Sequence, residues 1–195
     1  MSACRPPALL AVALAMLAAV GASRTASAAA VRPSAASREL DRAQTLLLER
    51  LAPLPEGSGV LILRDAEALT LRIPARLLFA YDSALLKQEP MALAPLAAAE
   101  QLLRKHRGLQ AQIVVYTDSI GDVSANQSLS DQRAQAVYDA LKAAGIAPKR
   151  LQQHGAGAAT MVASNQTPAG RIENRRVEIE FLLPARPPGR PLAGY

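Results

Sequence analysis

Asp118 and Arg133 are the two side chains whose types and spacing best suit recognition of a ligand. Asp118 comes two positions after residues 112–116, a largely apolar segment typical of a strand. A polar turn containing Gly121 comes next, and Arg133 lies in the early turns of the helix predicted after it. A carboxylate and a guanidinium near one strand-to-helix junction can hold the ammonium and the carboxylate of a zwitterion, because a guanidinium binds a carboxylate through two parallel hydrogen bonds. The pair suits binding of a zwitterion better than a reaction.

The other residue types capable of chemistry form no catalytic set. His106 and His154 lack metal-ligand spacing with each other or with acids. No serine lies in a G-x-S-x-G elbow. The single cysteine, Cys4, precedes the apolar segment near the N-terminus, so neither a disulfide nor a lipid anchor is indicated. We expect no enzyme activity, no catalytic residue, no bound metal and no cofactor.

Two separated motifs indicate a family. Residues 117–134 read T-D-S-I-G-D-V-S-A-N-Q-S-L-S-D-Q-R-A, and residues 165–179 read N-Q-T-P-A-G-R-I-E-N-R-R-V-E-I. The first resembles the T-D-x-x-G…N-x-x-L-S-x-x-R-A signature of the OmpA-like, peptidoglycan-associating domain family, and the second resembles the family's downstream segment. The resemblance covers roughly residues 69–183. The matching positions are Thr117, Asp118, Gly121, Asn126, Leu129, Ser130, Arg133, Ala134, Asn165, Thr167, Gly170, Arg171, Asn174, Arg175, Arg176 and Val177.

The resemblance implies a fold and a function. The fold would be α/β, a β-α-β-α-β-β two-layer sandwich with a mixed sheet, preceded by a short helix and a hairpin. The function would be non-catalytic binding of peptidoglycan through the diaminopimelate of its stem peptide, which would anchor the protein to the cell wall. Free N–H groups in the first turns of the following helix would favour the same anion. The ligand-binding residues would be Asp118, Arg133, Asn126, Thr117 and Leu129, with Asp82, Arg175 and Arg176 in supporting positions.

Several of these residues have a structural alternative. Asp118 and Arg133 could form a salt bridge that only fixes the loop. Asn126 could contact the ligand or tie down the loop, and Leu129 could floor the pocket or pack in the core. The Thr117 hydroxyl could simply close a turn. Asn126, Ser130 and Arg133 are spaced to share one helix face, and one arginine of the cluster formed by Arg171, Arg175 and Arg176 is expected to pair with a loop acid.

Two positions depart from the family pattern. Val115 stands where the family usually has glycine, and Ala80 stands where the usual F-D-x-D-S segment has its first acid. Both are expected near the ligand site. They motivate an alternative function, a structural adaptor of the same fold that acts through a protein partner in the envelope without binding the wall. A peptidoglycan hydrolase is a weaker alternative, since no acid, nucleophile or metal set is evident.

The N-terminus and the composition bear on location and partners. Arg5 precedes the uncharged residues 8–20, and Ala26-Ser27-Ala28 is an A-x-A-like cleavage site. Thirteen residues are short of the ~20 that span a bilayer, so a cleaved signal peptide is favoured over an uncleaved anchor. Removing two arginines from a formal charge of +6 leaves +4. No basic run is interleaved with aromatic residues, so we expect no nucleic-acid partner, peripheral membrane association at most, and a periplasmic protein associated with the cell wall or outer membrane.

The predicted division of the chain is a signal peptide at 1–28, a linker and amphipathic helix at 29–58, the OmpA-like domain at 59–183 and a disordered, proline-rich tail at 184–195. Helical spacing predicts a helix over residues 38–51, capped by Ser37, which either packs on the domain or binds a partner. Strands are predicted at residues 60–63, 69–73, 112–116, 151–154 and 177–181. Helices are predicted at 91–106, where Pro95 either kinks the helix or marks its start, and up to about Gly145.

Overall fold

A computed structural model of the chain describes residues 34–184, which fold around one five-stranded mixed sheet. The elements in chain order are α1 (Ala35–Leu51), β1 (Leu61–Arg64), β2 (Ala68–Pro74), α2 (Ala75–Leu78), α3 (Pro90–Lys105), β3 (Gln110–Tyr116), α4 (Val123–Ala143), a 3-10 turn (Pro148–Arg150), β4 (Leu151–Gly157), α5 (Pro168–Asn174) and β5 (Arg176–Leu182). The predicted signal peptide and nearly all of the predicted tail lie outside the described residues.

The sheet has the strand order β1-β2-β5-β3-β4. β3 and β4 are parallel and joined through α4, whereas the other neighbouring pairs are antiparallel. The series β2-α3-β3-α4-β4-β5 is the β-α-β-α-β-β order predicted from the sequence, with the β1–β2 hairpin and α1 before it. The α/β class and the mixed sheet are therefore confirmed.

One face of the sheet supplies about a third of the buried core. Alternation along the three central strands places nine side chains on the face that meets the helices, namely Leu69, Leu71, Ile73, Ala111, Ile113, Val115, Val177, Ile179 and Phe181, all of them buried. Val115 belongs to this set and has no exposed surface. Glu178 and Glu180 lie on the opposite face, as their alternation predicts.

The first helix packs into the same core. Leu40, Ala43, Leu46 and Leu47 of α1 are buried in one cluster with the residues of the sheet and of α3. The structure therefore shows the packed form of this helix. The predicted cap was wrong by one turn, since the Ser37 N–H donates to Ser34 Oγ at 3.0 Å and Ser34 is the capping residue.

The third helix runs through its internal proline. Pro90 is at its first position, where the missing N–H would be unsatisfied in any helix. Pro95 is buried within the continuous helix, so the alternative of a start near Pro95 is wrong. Pro95 has no N–H to donate to the Met91 carbonyl, so the helix lacks only that one backbone hydrogen bond.

Two short helices were not predicted. α2 follows directly on β2, and α5 ends two residues before Arg176.

Among residues 34–184, no helix combines the length and the apolar character needed to cross a membrane.

Candidate functional site

The end of β3 is held against β4 by main-chain contacts. The Thr117 N–H donates to the Gly157 carbonyl at 2.8 Å. The register between the two strands shifts after Val115, opposite Gly155 and Gly157. β3 ends at Tyr116, so Thr117 and Asp118 lie just beyond the end of the strand. Thr117 is 3% exposed, and its buried hydroxyl oxygen has no hydrogen-bond partner within residues 34–184. The alternative that the Thr117 hydroxyl closes a turn is therefore wrong, and its backbone N–H extends the pairing of β3 with β4.

Asp118 pairs with Arg175. Its Oδ1 accepts from the Ile120 N–H at 2.9 Å, and its Oδ2 accepts from Arg175 Nη1 in an ion pair. Asp118 is 7% exposed. The expectation that an arginine of the second motif pairs with a loop acid is confirmed, and the alternative salt bridge between Asp118 and Arg133 is not formed.

Arg133 is fixed by carbonyl groups. Its Nε donates to the Ser83 carbonyl at 2.8 Å, and its Nη2 donates to the Ala80 carbonyl at 3.4 Å. The guanidinium carbon lies 5.1 Å from the centre of the Phe79 ring. These three residues lie in the segment between α2 and α3. Arg133 therefore joins α4 to this segment, a role that the sequence did not predict.

The charge of Arg133 sits in a confined setting. The residue is 5% exposed. Burial lowers the pKa of its guanidinium, while the negative charge of Asp82 acts to raise this pKa and the positive charge of Arg175 to lower it. Asp82 has a positive φ of 49°, uncommon for a residue other than glycine. The group remains a cation, because arginine stays protonated in proteins.

The close approach of α4 to β4 sets the position of Arg133. Gly155 donates its N–H to Asp131 Oδ1 at 3.0 Å and accepts from Gln127 Nε2 at 2.6 Å. The hydroxyl of Ser130 donates to the Gln127 carbonyl, and its oxygen accepts from the Gly157 N–H at 3.0 Å. Ser130 thus bonds to β4, although it shares the predicted helix face with Asn126 and Arg133.

The first turn of α4 is capped by its own acid. Asp122 Oδ1 accepts from the Ala125 N–H at 2.9 Å and from the Ser124 hydroxyl. These hydrogen bonds lower the pKa of Asp122, with the one from Ser124 contributing most. The predicted role of this helix end as a free anion site was therefore wrong, because a carboxylate already occupies it. Asn126 Nδ2 donates to the Ile120 carbonyl at 2.9 Å, which ties down the loop.

An open cleft of about 630 Å³ lies where these elements meet. Seven of the eight predicted ligand or supporting residues line it, namely Thr117, Asp118, Asn126, Leu129, Arg133, Asp82 and Arg175. Ala80 also lines the cleft, whereas Val115 does not. The remaining lining residues include Arg76, Tyr81, Lys87 and Ile120, which the motifs gave no reason to select.

Arg176 is the predicted residue that the cleft does not include. Its guanidinium carbon lies 3.7 Å from the centre of the Tyr116 ring, and its Nε pairs with Glu178 at 2.9 Å. Strand alternation explains the difference, because Arg176 begins β5 and points to the face opposite Val177. Arg176 therefore packs on the sheet face opposite the helices and contributes to the structure there.

The second motif mainly builds the turn around α5. Asn174 is fully buried, and its side-chain oxygen accepts from the N–H groups of Val162 and Ala163 at 2.8 and 3.0 Å. Arg171 Nη1 donates to the Asn165 carbonyl at 2.9 Å and also reaches the Gln166 carbonyl. This packing places Arg175 at the cleft.

Within residues 34–184, no group of three or more histidine, cysteine, aspartate or glutamate side chains is arranged to hold a metal ion. His106 is 5% exposed, and its Nδ1 lies 2.8 Å from Glu39 Oε1. This contact joins the end of α3 to α1, far from the predicted ligand residues in the sequence.

Relatives of known name match most of the described region. YiaD of Escherichia coli (strain K12), named as a lipoprotein, is 36% identical over 123 residues, which are 63% of this chain and 55% of YiaD. Outer membrane protein A of Bordetella avium is 36% identical over 107 residues, 53% of either chain. The peptidoglycan-binding protein ArfA of Mycobacterium tuberculosis is 48% identical over 64 residues, 33% of this chain and 20% of ArfA. The chain thus spans about half the length, or less, of these relatives.

Solved structures share the fold. The cell wall anchor of the T6SS from Pseudomonas aeruginosa superimposes with a TM-score of 0.61 and 30% identity, over 70% of this chain and 96% of the anchor. The periplasmic domain of Helicobacter pylori MotB gives a TM-score of 0.59 at 24% identity, over 67% and 83% of the two chains, which shows likeness of fold. The family model described as the OmpA family matches residues 78–175, half of the chain and nearly all of the cleft. The chain belongs to the OmpA family.

Proposed function

We propose that this protein binds peptidoglycan without catalysis, through the diaminopimelate of the stem peptide, and so attaches itself to the bacterial cell wall. Two similarities support the proposal. ArfA, named as a peptidoglycan-binding protein, is 48% identical over 64 residues. The cell wall anchor of the T6SS is 30% identical and covers 70% of this chain. Both are wall-associated by name, and neither name describes an enzyme.

The observation that carries the proposal is the presence of Asp118 and Arg133 in one cleft, each with hydrogen-bonding capacity to spare. Arg133 uses Nε and Nη2 for two carbonyls, and its Nη1 has no hydrogen bond to residues 34–184. This nitrogen and the remaining Nη2 hydrogen can donate to the carboxylate of diaminopimelate. The carbonyls hold the guanidinium in place before the ligand arrives, so little side-chain entropy is lost on binding.

The ammonium of diaminopimelate would meet the acids of the cleft. Each carboxylate has about four acceptor sites, and the hydrogen bonds to Ile120 and Arg175 occupy two of those on Asp118. The ammonium can therefore bind Asp118 while Arg175 stays in place. Asp82, whose negative charge acts on Arg133 and which lines the same cleft, is a second acid for the same ammonium.

A single site of this kind binds modestly, because a small polar ligand must lose its water and its freedom. The wall presents many copies of the stem peptide, so rebinding retains the protein, and oligomerisation would add avidity. The location that we propose is the periplasm, at the wall or the outer membrane, with peripheral membrane contact at most. A mature N-terminus near Ala29 in protein recovered from the periplasm is the expected result of N-terminal sequencing, and an intact Met1 in the membrane fraction would contradict it.

The alternative of a structural adaptor rests on Ala80. Its side chain lines the cleft without the acid that is usual in the family. Val115, the other departure, is buried in the core and does not narrow the cleft. The adaptor would keep the fold, act through a protein partner in the envelope, and bind neither the wall nor diaminopimelate.

The test is titration with diaminopimelate together with a pull-down on purified wall. Asp118→Asn keeps the shape of the side chain and removes its negative charge. Arg133→Lys keeps the positive charge and removes the planar fork of the guanidinium. Losing a hydrogen bond to a charged group costs about 1.5–3 kcal/mol, so each variant should bind roughly tenfold to a hundredfold more weakly. Asp139→Asn on α4 and Arg104→Lys on α3 are the matched controls, since both residues are exposed and outside the cleft.

The circular-dichroism spectrum and the melting temperature of each variant show whether the fold is kept, because Arg133 also holds the segment before α3. Equal binding by wild type and by both cleft variants would show that the ligand lies elsewhere. Wild-type protein that retains neither diaminopimelate nor wall would support the adaptor. Release of soluble wall fragments would contradict the absence of catalysis.

A further inference from the structure

The cleft has more cations than the proposed ligand contact uses. Five basic side chains line it, namely Arg76, Lys87, Arg133, Arg171 and Arg175, against three acids, namely Asp82, Asp118 and Asp122. The difference of 5 − 3 = 2 positive charges would not be balanced by a zwitterion, whose own net charge is zero. A fully matched ligand must therefore bring additional negative charge.

The surplus can be located by following each cation to its partner. Arg175 is paired with Asp118, and Asp82 is the acid whose charge acts on Arg133. Arg171 donates to two carbonyls of its own turn. Like Arg133 and Arg171, Arg76 and Lys87 have no salt bridge with an acid of residues 34–184.

Arg76 and Lys87 are held side by side by the backbone. The Lys87 N–H donates to the Leu78 carbonyl at 2.9 Å, and Phe79 forms an antiparallel bridge with Leu86. This closure returns the chain to α2. Lys87 Nζ then donates to the Arg76 carbonyl at 2.8 Å. The ammonium is therefore fixed beside the residue that bears the exposed guanidinium.

We propose that Arg76 and Lys87 form a second subsite of the cleft, which binds a further carboxylate of the stem peptide. The proposal rests on the proposed function, because it concerns another part of the same ligand. Neither side chain has a salt bridge to an acid of residues 34–184, so a carboxylate bound between them would be attracted by two positive charges. Arg76 provides the planar fork, and Lys87 provides a point charge that its contact with the Arg76 carbonyl holds in place.

The stem peptide offers two such carboxylates beyond the zwitterionic end of diaminopimelate. One is the α-carboxylate of D-glutamate, which is linked through its γ-carboxyl. The other is the C-terminal carboxylate of D-alanine. Both present the same chemistry, and amidation abolishes the negative charge of either one separately. A second carboxylate contact would make the protein sensitive to amidation of the wall at a position other than diaminopimelate.

The experiment uses four ligands, namely free diaminopimelate, the tetrapeptide L-Ala–γ-D-Glu–diaminopimelate–D-Ala, and this tetrapeptide amidated at the D-glutamate α-carboxylate or at the D-alanine terminus. Wild type is compared with the double variant Arg76→Gln, Lys87→Gln at one ionic strength, since exposed charges are screened by salt. The control double variant is Arg107→Gln, Lys149→Gln. It removes two exposed cations near the starts of β3 and β4, away from the cleft.

The double variant should bind the tetrapeptide roughly tenfold more weakly, the size expected for a charged hydrogen bond, and bind diaminopimelate as wild type does. The control should match wild type for both. One amidation should weaken wild-type binding by a similar factor and have no further effect in the double variant, which identifies the carboxylate. Unchanged tetrapeptide binding by the double variant, or no effect of either amidation, would overturn the second subsite while diaminopimelate binding persists. Failure of wild type to bind diaminopimelate would overturn the proposed function, and the subsite with it.

Discussion

Gly155 is the residue at which the smallest substitution should disturb the cleft most. A Cβ built on Gly155 would lie 2.2 Å from the Asp131 backbone nitrogen and 2.5 Å from Asp131 Oδ1. Neither can yield easily, because the nitrogen belongs to the backbone of α4 and the carboxylate accepts from the Gly155 N–H. Gly155→Ala must therefore push α4 away from β4.

The destabilisation has a steric part and a hydrogen-bonding part. Overpacking of this kind costs about 1–3 kcal/mol. The hydrogen bonds between Gly155 and the side chains of Asp131 and Gln127 contribute about 0.5–1.5 kcal/mol each. Together these effects should lower the free energy of unfolding by roughly 2–6 kcal/mol, a large share of the 5–15 kcal/mol typical of a domain. Since α4 also holds Arg133, ligand affinity should fall with stability.

Gly108→Ala is the matched control. Its added Cβ would lie 3.7 Å from Leu183 Cδ2, an ordinary contact, and its backbone is outside the region that only glycine favours. Such a substitution can stabilise by about 0.4–1 kcal/mol, because it restricts the unfolded chain. Urea unfolding of both variants measures the difference. Equal midpoints for Gly155→Ala and wild type would refute the reasoning about how α4 is seated.

Three other substitutions test the sheet. Burial, followed by the charges of Asp65 and Glu178, raises the pKa of Glu180. A carboxyl whose pKa is raised by folding makes the protein less stable as the pH rises through its folded pKa. Glu180→Gln should therefore raise the melting temperature at neutral pH, and this gain should disappear as the pH falls below about 4.5, the ordinary pKa of a glutamate. A gain that persists at low pH would contradict this origin. Glu178→Gln should instead lower the melting temperature, because it removes two ion pairs. Val115→Gly should lower the free energy of unfolding by about 2–4 kcal/mol, from reduced apolar burial and the flexibility of glycine, without improving affinity for diaminopimelate; stronger binding by this variant would show that Val115 restricts the site after all.

The sequence predicts best where one pattern repeats under one physical constraint. Strands buried on a single face must alternate, and this alternation predicted β2 and β5 to within a few residues. The βαβ unit around α4 joins the end of a strand to the start of the next helix. Asp118 and Asn126 are close along the chain there, so their meeting in the cleft follows from local structure.

Contacts between distant segments were less predictable. Asp118 and Arg175 are 57 positions apart, and the spacing could predict an ion pair without identifying which arginine makes it. Arg76 and Lys87 reach the cleft through α2 and a non-repetitive segment, neither of which has a periodic pattern. No rule of spacing could have placed them in one cleft with Arg133.

Ser130 shows how a correct periodicity can still mislead. Relative to Asn126, Ser130 lies about 40° around the helix axis and Arg133 about 20° in the other direction. Spacing alone puts all three on one face. The close approach of β4 at its glycines divides that face, so Ser130 bonds to the strand while its neighbours line the cleft. The deciding feature is that the glycines of β4 have no side chains, which lets α4 approach the strand closely.

The two arginines nearest the proposed ligand divide two tasks that one residue could not perform. Arg175 pairs with Asp118, so a carboxylate that is only 7% exposed has a hydrogen-bonded positive partner. Arg133 is held by neutral carbonyls instead of a hydrogen-bonded acid, so its orientation is fixed without its charge being neutralised. If Asp118 had paired with Arg133, a ligand would have had to break that salt bridge before gaining either contact. The observed pairing leaves an oriented cation and an ionised acid in one cleft, the arrangement that a zwitterion can bind with the least reorganisation.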